Sequence, residues 1–357
     1  MADQDPRWPD GPGQTRRRTR ASLLLEACAL SRGISTIRVG PRAFASAPPG
    51  SDVGFHGGTS LETSRVSERI CADRVMRKAL LSQAGVPVPP SAVFGFEDPD
   101  QAARYAAQLG GPVLLKTKER TAGRPLLVPA GSDVAGALEQ LRSRVPSSSA
   151  YLVEGRVPGT EYAFCVVGGQ VVSAVQRQRG AWHAEVARDG EGDVHPDVLA
   201  LAVQVVRALP SVPHGTVRMK CQNAAAGAAG CTVVSVRPAI GLIGRRPPAE
   251  WSVHVADRMV AHAARNMAVT GQGRGRMTAA FTMTELADTA GMTEQVREWI
   301  GEAGLDGTVQ TAGQRQVSGS LSGAPGRVVL LSGLAVTGKL GGQVPQSVTL
   351  QLEKERA

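Results

Sequence analysis

Apolar positions recur at helical spacing from Ala21 to Leu30, and Arg32-Gly33 closes that run. Ser35 to Val39 reads as a short strand, and Ser46 to Gly58, with Pro48-Pro49-Gly50 inside it, as a loop. Thr63 to Gln83 carries a stripe of Ile70, Cys71, Val75, Met76, Ala79, Leu80 and Leu81, which predicts one or two helices. Gly85 lies just past its end and Pro87, Pro89 and Pro90 follow, a strong stop signal. Helices are predicted at Asp98–Leu109, Val134–Val145, Val198–Leu209 and Trp251–Met267. Strands are predicted at Pro112–Lys116, Tyr151–Glu154, Thr216–Cys221 and Thr232–Val236. Glu161–Val167 and Gln170–Gln176 form a hairpin across Gly168-Gly169.

Gly271 to Arg276 is a linker by composition. Beyond it come a strand near Thr278–Met283, a helix at Thr293–Ala303, a hairpin over Val309–Leu321, a helix at Gly326–Leu334 and a strand at Ser347–Leu352. That order is β-α-β-β-α-β, the ferredoxin-like arrangement. The expected fold class is therefore α+β. The expected organisation is a disordered basic tail (1–20), an N-terminal α/β lobe with a helical linker (21–90), a central domain (91–270), a linker (271–276) and a ferredoxin-like domain (277–357).

Composition narrows the classes. The chain has 357 residues and 42% hydrophobic content, enough for two or three domains, but only 4% aromatics, so Val, Leu, Ala and Ile must build the core. The net charge of +9 favours anionic partners, although Arg16, Arg17, Arg18 and Arg20 sit in the opening segment and read as a solvated tail. Few aromatics and no stacking motif argue against nucleic acid. Five cysteines without C-x-x-C spacing suggest neither a disulfide framework nor a zinc site. No apolar run reaches the roughly 20 residues that span a bilayer, and no signal peptide opens the chain, so a reducing cytoplasm is the expected setting.

Four segments carry the candidate chemistry: Cys71-Ala72-Asp73-Arg74, followed by Ala84-Gly85-Val86-Pro87-Val88-Pro89; Gly111-Pro112-Val113-Leu114-Leu115-Lys116; Glu154-Gly155-Arg156-Val157-Pro158-Gly159-Thr160-Glu161; and Val233-Val234-Ser235-Val236-Arg237-Pro238. Their order resembles the ATP-grasp superfamily of carboxylate–amine ligases, in particular cyanophycin synthetase-like and D-alanine–D-alanine ligase-like enzymes, over roughly Gly54 to Met267. Asp193-Val194-His195-Pro196 resembles that family's lead-in to a late helix. The resemblance implies ATP as cofactor and an amino acid or peptide as substrate. Lys116 would lie on the α/β-phosphates, the strand edge at Glu154 and Val157 on the adenine, and Glu161 on the ribose hydroxyls. Arg74 would replace a second phosphate-binding Lys. It further implies a homodimer or a partner ligase. The C-terminal segment resembles the acylphosphatase-like version of the ferredoxin fold, through Gly304-Leu305-Asp306-Gly307-Thr308-Val309-Gln310 and Val317-Ser318-Gly319. Its loop Thr284–Thr289 lacks the anion-binding Arg of that family. Val296, Trp299 and Ile300 read as core.

The pattern departs from the family where Mg²⁺ should bind. Family chemistry passes through an acylphosphate, with Mg²⁺ bridging phosphate oxygens and held by an Asp, a Glu and an Asn. The matching positions are Arg218, Ser235 and Arg237, and no Asp or Glu occurs between His214 and Ala249. A guanidinium cannot bind Mg²⁺. The segment after Lys116, Thr117–Arg124, also holds one Gly where the family has a Gly/Ser-rich phosphate-covering loop. Three readings follow. Arg218 and Arg237, joined by Arg177, contact phosphate or another anion directly, without turnover; or Asp189, Glu191 or Asp193 replace the missing acids in an active ligase; or the chain is a scaffold for one.

Overall fold

The computed structural model describes residues 5–11, 16–47, 53–118, 125–144, 150–178, 181–242, 249–267 and 275–353. Residues 119–124, most of the segment where a phosphate-covering loop was expected, and most of the 271–276 linker lie outside the described residues. The chain forms two units, Met1–Glu62 with Ala239–Ala357, and Thr63–Pro238.

The first unit opens with α1 (Arg17–Ser31), β1 (Thr36–Gly40), β2 (Ala43–Ser46), β3 (Gly54–His56) and β4 (Thr59–Ser60). The second contains α2 (Arg65–Ala72), α3 (Arg74–Gln83), β5 (Ser91–Gly95), α4 (Pro99–Gln108), β6 (Val113–Thr117), β7 (Leu126–Val128), α5 (Val134–Arg144), β8 (Ala150–Gly155), β9 (Thr160–Val167), β10 (Gln170–Gln178), β11 (Ala181–Arg188), β12 (Glu191–Gly192), α6 (Pro196–Arg207), β13 (His214–Cys221) and β14 (Cys231–Arg237). The first unit resumes with α7 (Ala249–Ala263), β15 (Met277–Thr284), α8 (Thr289–Glu302), β16 (Asp306–Gly313), β17 (Gln316–Gly323), α9 (Pro325–Ala335) and β18 (Ser347–Leu352).

The boundaries differ from the sequence expectation for a specific reason. β18 does not end its sheet: it pairs antiparallel with β1, Thr36 opposite Leu350, so both ends of the chain share one sheet in the order β16-β17-β15-β18-β1-β2-β3-β4. The expected N-terminal lobe and C-terminal module are thus one unit. The helices α2 and α3, assigned to that lobe, belong to the second unit, and α7, assigned to the central domain, belongs to the first. Part of the expected 46–58 loop is β3.

Helix α1 begins four residues earlier than its apolar stripe and is buried on every side, Leu23 through Leu30 being inaccessible, because α7 and α9 both pack on it. Its one acid, Glu26, is fully buried and meets the fully buried Arg38 of β1 at 2.5 and 2.8 Å, with Thr36 Oγ1 and Ser332 Oγ donating at 3.0 and 3.1 Å. A pair this deep is stable only because its hydrogen bonds are satisfied. Nor are residues 5–11 of the expected disordered tail unstructured. The Pro6 carbonyl accepts the Gly326 N–H at 2.8 Å, capping α9, whose own N-cap residue Ala324 has no side-chain acceptor. Arg7 pairs with Asp257 at 3.1 Å, and Arg20 lies over the Trp8 ring. Val296, Trp299 and Ile300 are buried in the core of this unit, as their spacing predicts.

In the second unit a six-stranded sheet (β12-β11-β10-β9-β13-β14) and a four-stranded sheet (β5-β8-β6-β7) each have their own apolar core. The predicted helical stretch at 63–83 divides at Asp73, whose carboxylate caps α3 by accepting from Val75 N at 2.8 Å and Met76 N at 3.1 Å. The hairpin turn falls at Gly168-Gly169, both with positive φ. One cysteine expectation is overturned. Antiparallel register sets Cys221 opposite Cys231, Cα atoms 4.1 Å apart, and the two form a disulfide; Cys28, Cys71 and Cys165 are buried and not disulfide-bonded. No helix among the described residues is long and apolar enough to cross a membrane.

Candidate functional site

The candidate nucleotide- and anion-binding residues named from the sequence all lie in Thr63–Pro238. They gather into two charged clusters, one on each sheet.

The first cluster is centred on Glu154 at the end of β8. Register places Glu154 opposite Leu114, so Lys116, two residues further along β6, reaches back to it. Lys116 donates to Glu154 Oε1, and Lys78, one helical turn beyond Arg74 on α3, donates to Oε2 at 2.5 Å. The carboxylate is 3% exposed and the two ammonium side chains 11% and 14%. Burial alone would raise the Glu154 pKa, but Lys116 and Lys78 outweigh it and hold the carboxyl below its ordinary value. Burial lowers the pKa of both lysines, partly offset by Glu154. Lys78 spends its other donors on Pro89 O (3.1 Å) and Ser91 Oγ (2.8 Å), so it ties α3 to the start of β5. Lys78 was not visible as a site residue in the sequence; its spacing of four from Arg74, on the same helix face, is the signal that was there. Arg74 turns inward instead: it is buried, and Nη1 donates to Thr117 O at 2.5 Å and Thr117 Oγ1 at 3.3 Å.

The second cluster covers one face of the six-stranded sheet. Alternation along β13, and along β14 with an extra residue at Val234, sends Val217, Met219, Cys221, Val233 and Val236 into the core, while Thr216, Arg218, Lys220, Ser235 and Arg237 line the other face. Thr216 is opposite Arg237 and Arg218 opposite Ser235, so Arg218, Ser235 and Arg237, the three positions where metal ligands were expected, are adjacent on one face. Glu161 of β9 sits opposite Lys220 and pairs with both Arg218 and Arg177, the latter at 2.6 Å. Lys220 Nζ donates to the Val157 carbonyl at 3.0 Å. Gly159 makes that approach feasible: its φ is +103°, and a Cβ there would lie 2.6 Å from the Cys221 carbonyl. Burial lowers the Lys220 pKa, with Arg156, Arg177 and Arg218 adding repulsion. Burial and the neighbouring Arg237 lower that of Arg218, and burial alone that of Arg237. Four cations, Arg177, Arg218, Lys220 and Arg237, thus share this face with Glu161.

The donor set does not fit Mg²⁺. The metal demands several hard oxygen ligands, and this face offers one carboxylate, Glu161, already held by Arg177 and Arg218, among guanidinium, ammonium and hydroxyl groups. Among the described residues no group of three or more His, Cys, Asp or Glu is placed to hold a metal. Nor do the alternative acids reach it. Glu191 is on β12 and Asp189 in the turn before it, while Asp193 N bonds Val186 O of β11, all at the sheet edge opposite β14. Four strand spacings separate β12 from β13, roughly 19 Å. His195 caps α6, its ring nitrogen accepting from Asp197 N at 3.2 Å.

No family model matches the chain. It is 30% identical over 138 residues to a bifunctional glutathione biosynthesis protein from Streptococcus mutans, covering 37% of this chain and 17% of that protein. It is 30% identical over 113 residues to a D-alanine–D-alanine ligase from Synechococcus, covering 31% of this chain and 34% of the ligase. The chain therefore spans about a sixth and a third of the length of these curated relatives. Among solved structures, a bifunctional glutathione synthetase from Pasteurella multocida aligns with a TM-score of 0.47 at 15% identity, over 70% of this chain and 44% of that one. The sequence relatives of this α+β chain thus include one protein named a D-alanine–D-alanine ligase and one named for glutathione biosynthesis.

Proposed function

We propose that Thr63–Pro238 is an ATP-grasp-type unit that binds the phosphates of a nucleotide, or a comparable polyanion, directly through arginine rather than through Mg²⁺. The observation that carries this reading is the side-by-side placement of Arg218, Ser235 and Arg237 on one sheet face next to Glu161. Guanidinium groups bind phosphate by paired, charge-assisted hydrogen bonds and keep their charge even when half-buried. Glu161 remains suited to ribose. A carboxylate offers about four lone-pair sites, and two bonds to Arg177 and Arg218 leave room for two hydroxyls. Lys116 supplies a further cation beside β8, where Lys78 already neutralises Glu154.

Calorimetry with ATP in EDTA, and again with excess Mg²⁺, tests the proposal. Affinity should persist in EDTA and change less than about tenfold with Mg²⁺. Arg237→Ala should weaken it about 10- to 100-fold, the scale of a lost charged hydrogen bond. ATP binding that is absent without Mg²⁺ refutes the reading.

A second reading, ATP-dependent carbon–nitrogen bond formation on an amino acid or peptide, is favoured by what the curated relatives are named for. ADP release that requires an added amino-acid or peptide pool would establish it over the non-catalytic reading.

A further inference from the structure

We propose that β16 is an interface at which two copies of this chain join their sheets antiparallel. β16 is an outer strand of the eight-stranded sheet, bonded on one side to β17. All its residues are exposed except Val309, which is half-buried against α8. An open edge of this kind presents a row of backbone donors and acceptors, and natural sheets blunt such edges by shortening them, by Lys or Pro, or by covering them. Among the described residues the other outer strands are shorter, and β5, with five residues, directly follows Pro89-Pro90. β4 and β12 have two residues each and β7 three, while β14 ends on Arg237 and gives its Val233 N–H to the Pro87 carbonyl. β16 has eight residues, Asp306-Gly-Thr-Val-Gln-Thr-Ala-Gly313, with no Lys, Arg or Pro among them. Its register is regular from Asp306 to Thr311, and the irregularity falls at the turn, between Thr311 and Gly313.

The charges at the two ends of the strand argue for a second copy as the occupant. At one end Arg276 pairs with Asp306, both largely exposed. At the other Arg315 pairs with Glu285 at 2.9 Å, also exposed. A twofold axis through the middle of the strand brings the first end of one copy against the second end of the other. Asp306, on the edge strand itself, then approaches Arg315 of the second copy, so opposite charges meet at each end of the joined strands. The uncharged middle, Thr308-Val309-Gln310-Thr311, pairs with itself through backbone and hydroxyl or amide groups.

Sedimentation equilibrium on the full chain, from about 1 to 100 μM, tests this. An edge contact of one strand is at the weak end of protein interfaces, so a concentration-dependent monomer–dimer equilibrium is expected in that range. Asp306→Lys and Arg315→Glu should each weaken dimerisation about tenfold, and the double variant should recover it, because both end contacts are then reversed together. Circular dichroism checks that each variant is folded. Hydrogen exchange provides a second readout: β16 amides should gain protection as concentration rises. A wild-type chain that is monomeric throughout overturns the proposal, including one whose β16 amides are protected only by an added extended peptide. So does a dimer that ignores the charge reversals and leaves β16 exchange unchanged.

Discussion

Glu154→Gln keeps the shape of the side chain and removes the charge that two buried lysines share. In the wild type each ammonium-to-carboxylate contact has a gross attraction of about 4 kcal/mol at 4 Å and an effective dielectric of 20. Desolvation of Glu154, 3% exposed, and of Lys78 and Lys116 offsets much of that. The working figure is therefore the measured cost of removing one partner from a buried pair, about 3–5 kcal/mol. That is a large part of a typical domain's stability. For a unit the size of Thr63–Pro238 it corresponds to a fall in Tm of roughly 6–20 °C. Urea unfolding followed by circular dichroism reads it. Adding Lys116→Met removes one of the two uncompensated positive charges and should restore about 1–3 kcal/mol, a coupling available only to groups in contact. The pH dependence has a definite sign. The folded carboxyl titrates below its ordinary value, so its contribution is complete above that value and is lost as pH falls through the folded pKa. Glu154→Gln should accordingly lose that part of the acid limb. A Gln variant within 1 kcal/mol of wild type, or a double variant no more stable than the single, would refute this account of the cluster.

Three other outcomes are expected. Reducing the Cys221–Cys231 disulfide, which closes a loop of sequence separation 10, should cost about 2.8 kcal/mol by loop entropy; denaturant midpoints with and without a reductant measure it. Asp73→Ala removes the acceptor for Val75 N and Met76 N and should cost about 1 kcal/mol, whereas Asp73→Asn should cost only a few tenths. Glu26→Gln leaves the buried Arg38 without a counter-charge and should cost about 3–5 kcal/mol in the other unit, with nucleotide affinity unchanged.

Much of the second unit was legible in the sequence because its signals are local. The end of α3 is written in Gly85 and the prolines after it, the hairpin in Gly168-Gly169, and the polar face of β13 in strict alternation. What was not legible depends on partners far apart in sequence. Nothing within Ser35–Val39 says that it pairs with Ser347–Leu352, since a five-residue strand with alternating burial suits several neighbours. The disulfide escaped notice because spacing rules look along the chain, whereas Cys221 and Cys231 meet across it. Lys116, Glu154 and Glu161 could be singled out as candidates from order and spacing. That Glu161 is held by Arg177 and Arg218, and Glu154 by Lys78, required side-chain geometry.

The β1–β18 pairing has a consequence for how the chain is made. A ribosome adding about 5–20 residues per second takes roughly 15–60 s to synthesise the roughly 300 residues between those strands. During that interval β1 has no β18 to bond, and the apolar side of α1 has no α9. The contiguous stretch 63–238 is complete long before then and can fold first, as an insertion within a sheet that closes only when the last strand emerges. Nascent chains halted after α7 should therefore carry a protease-resistant middle and a protease-sensitive beginning.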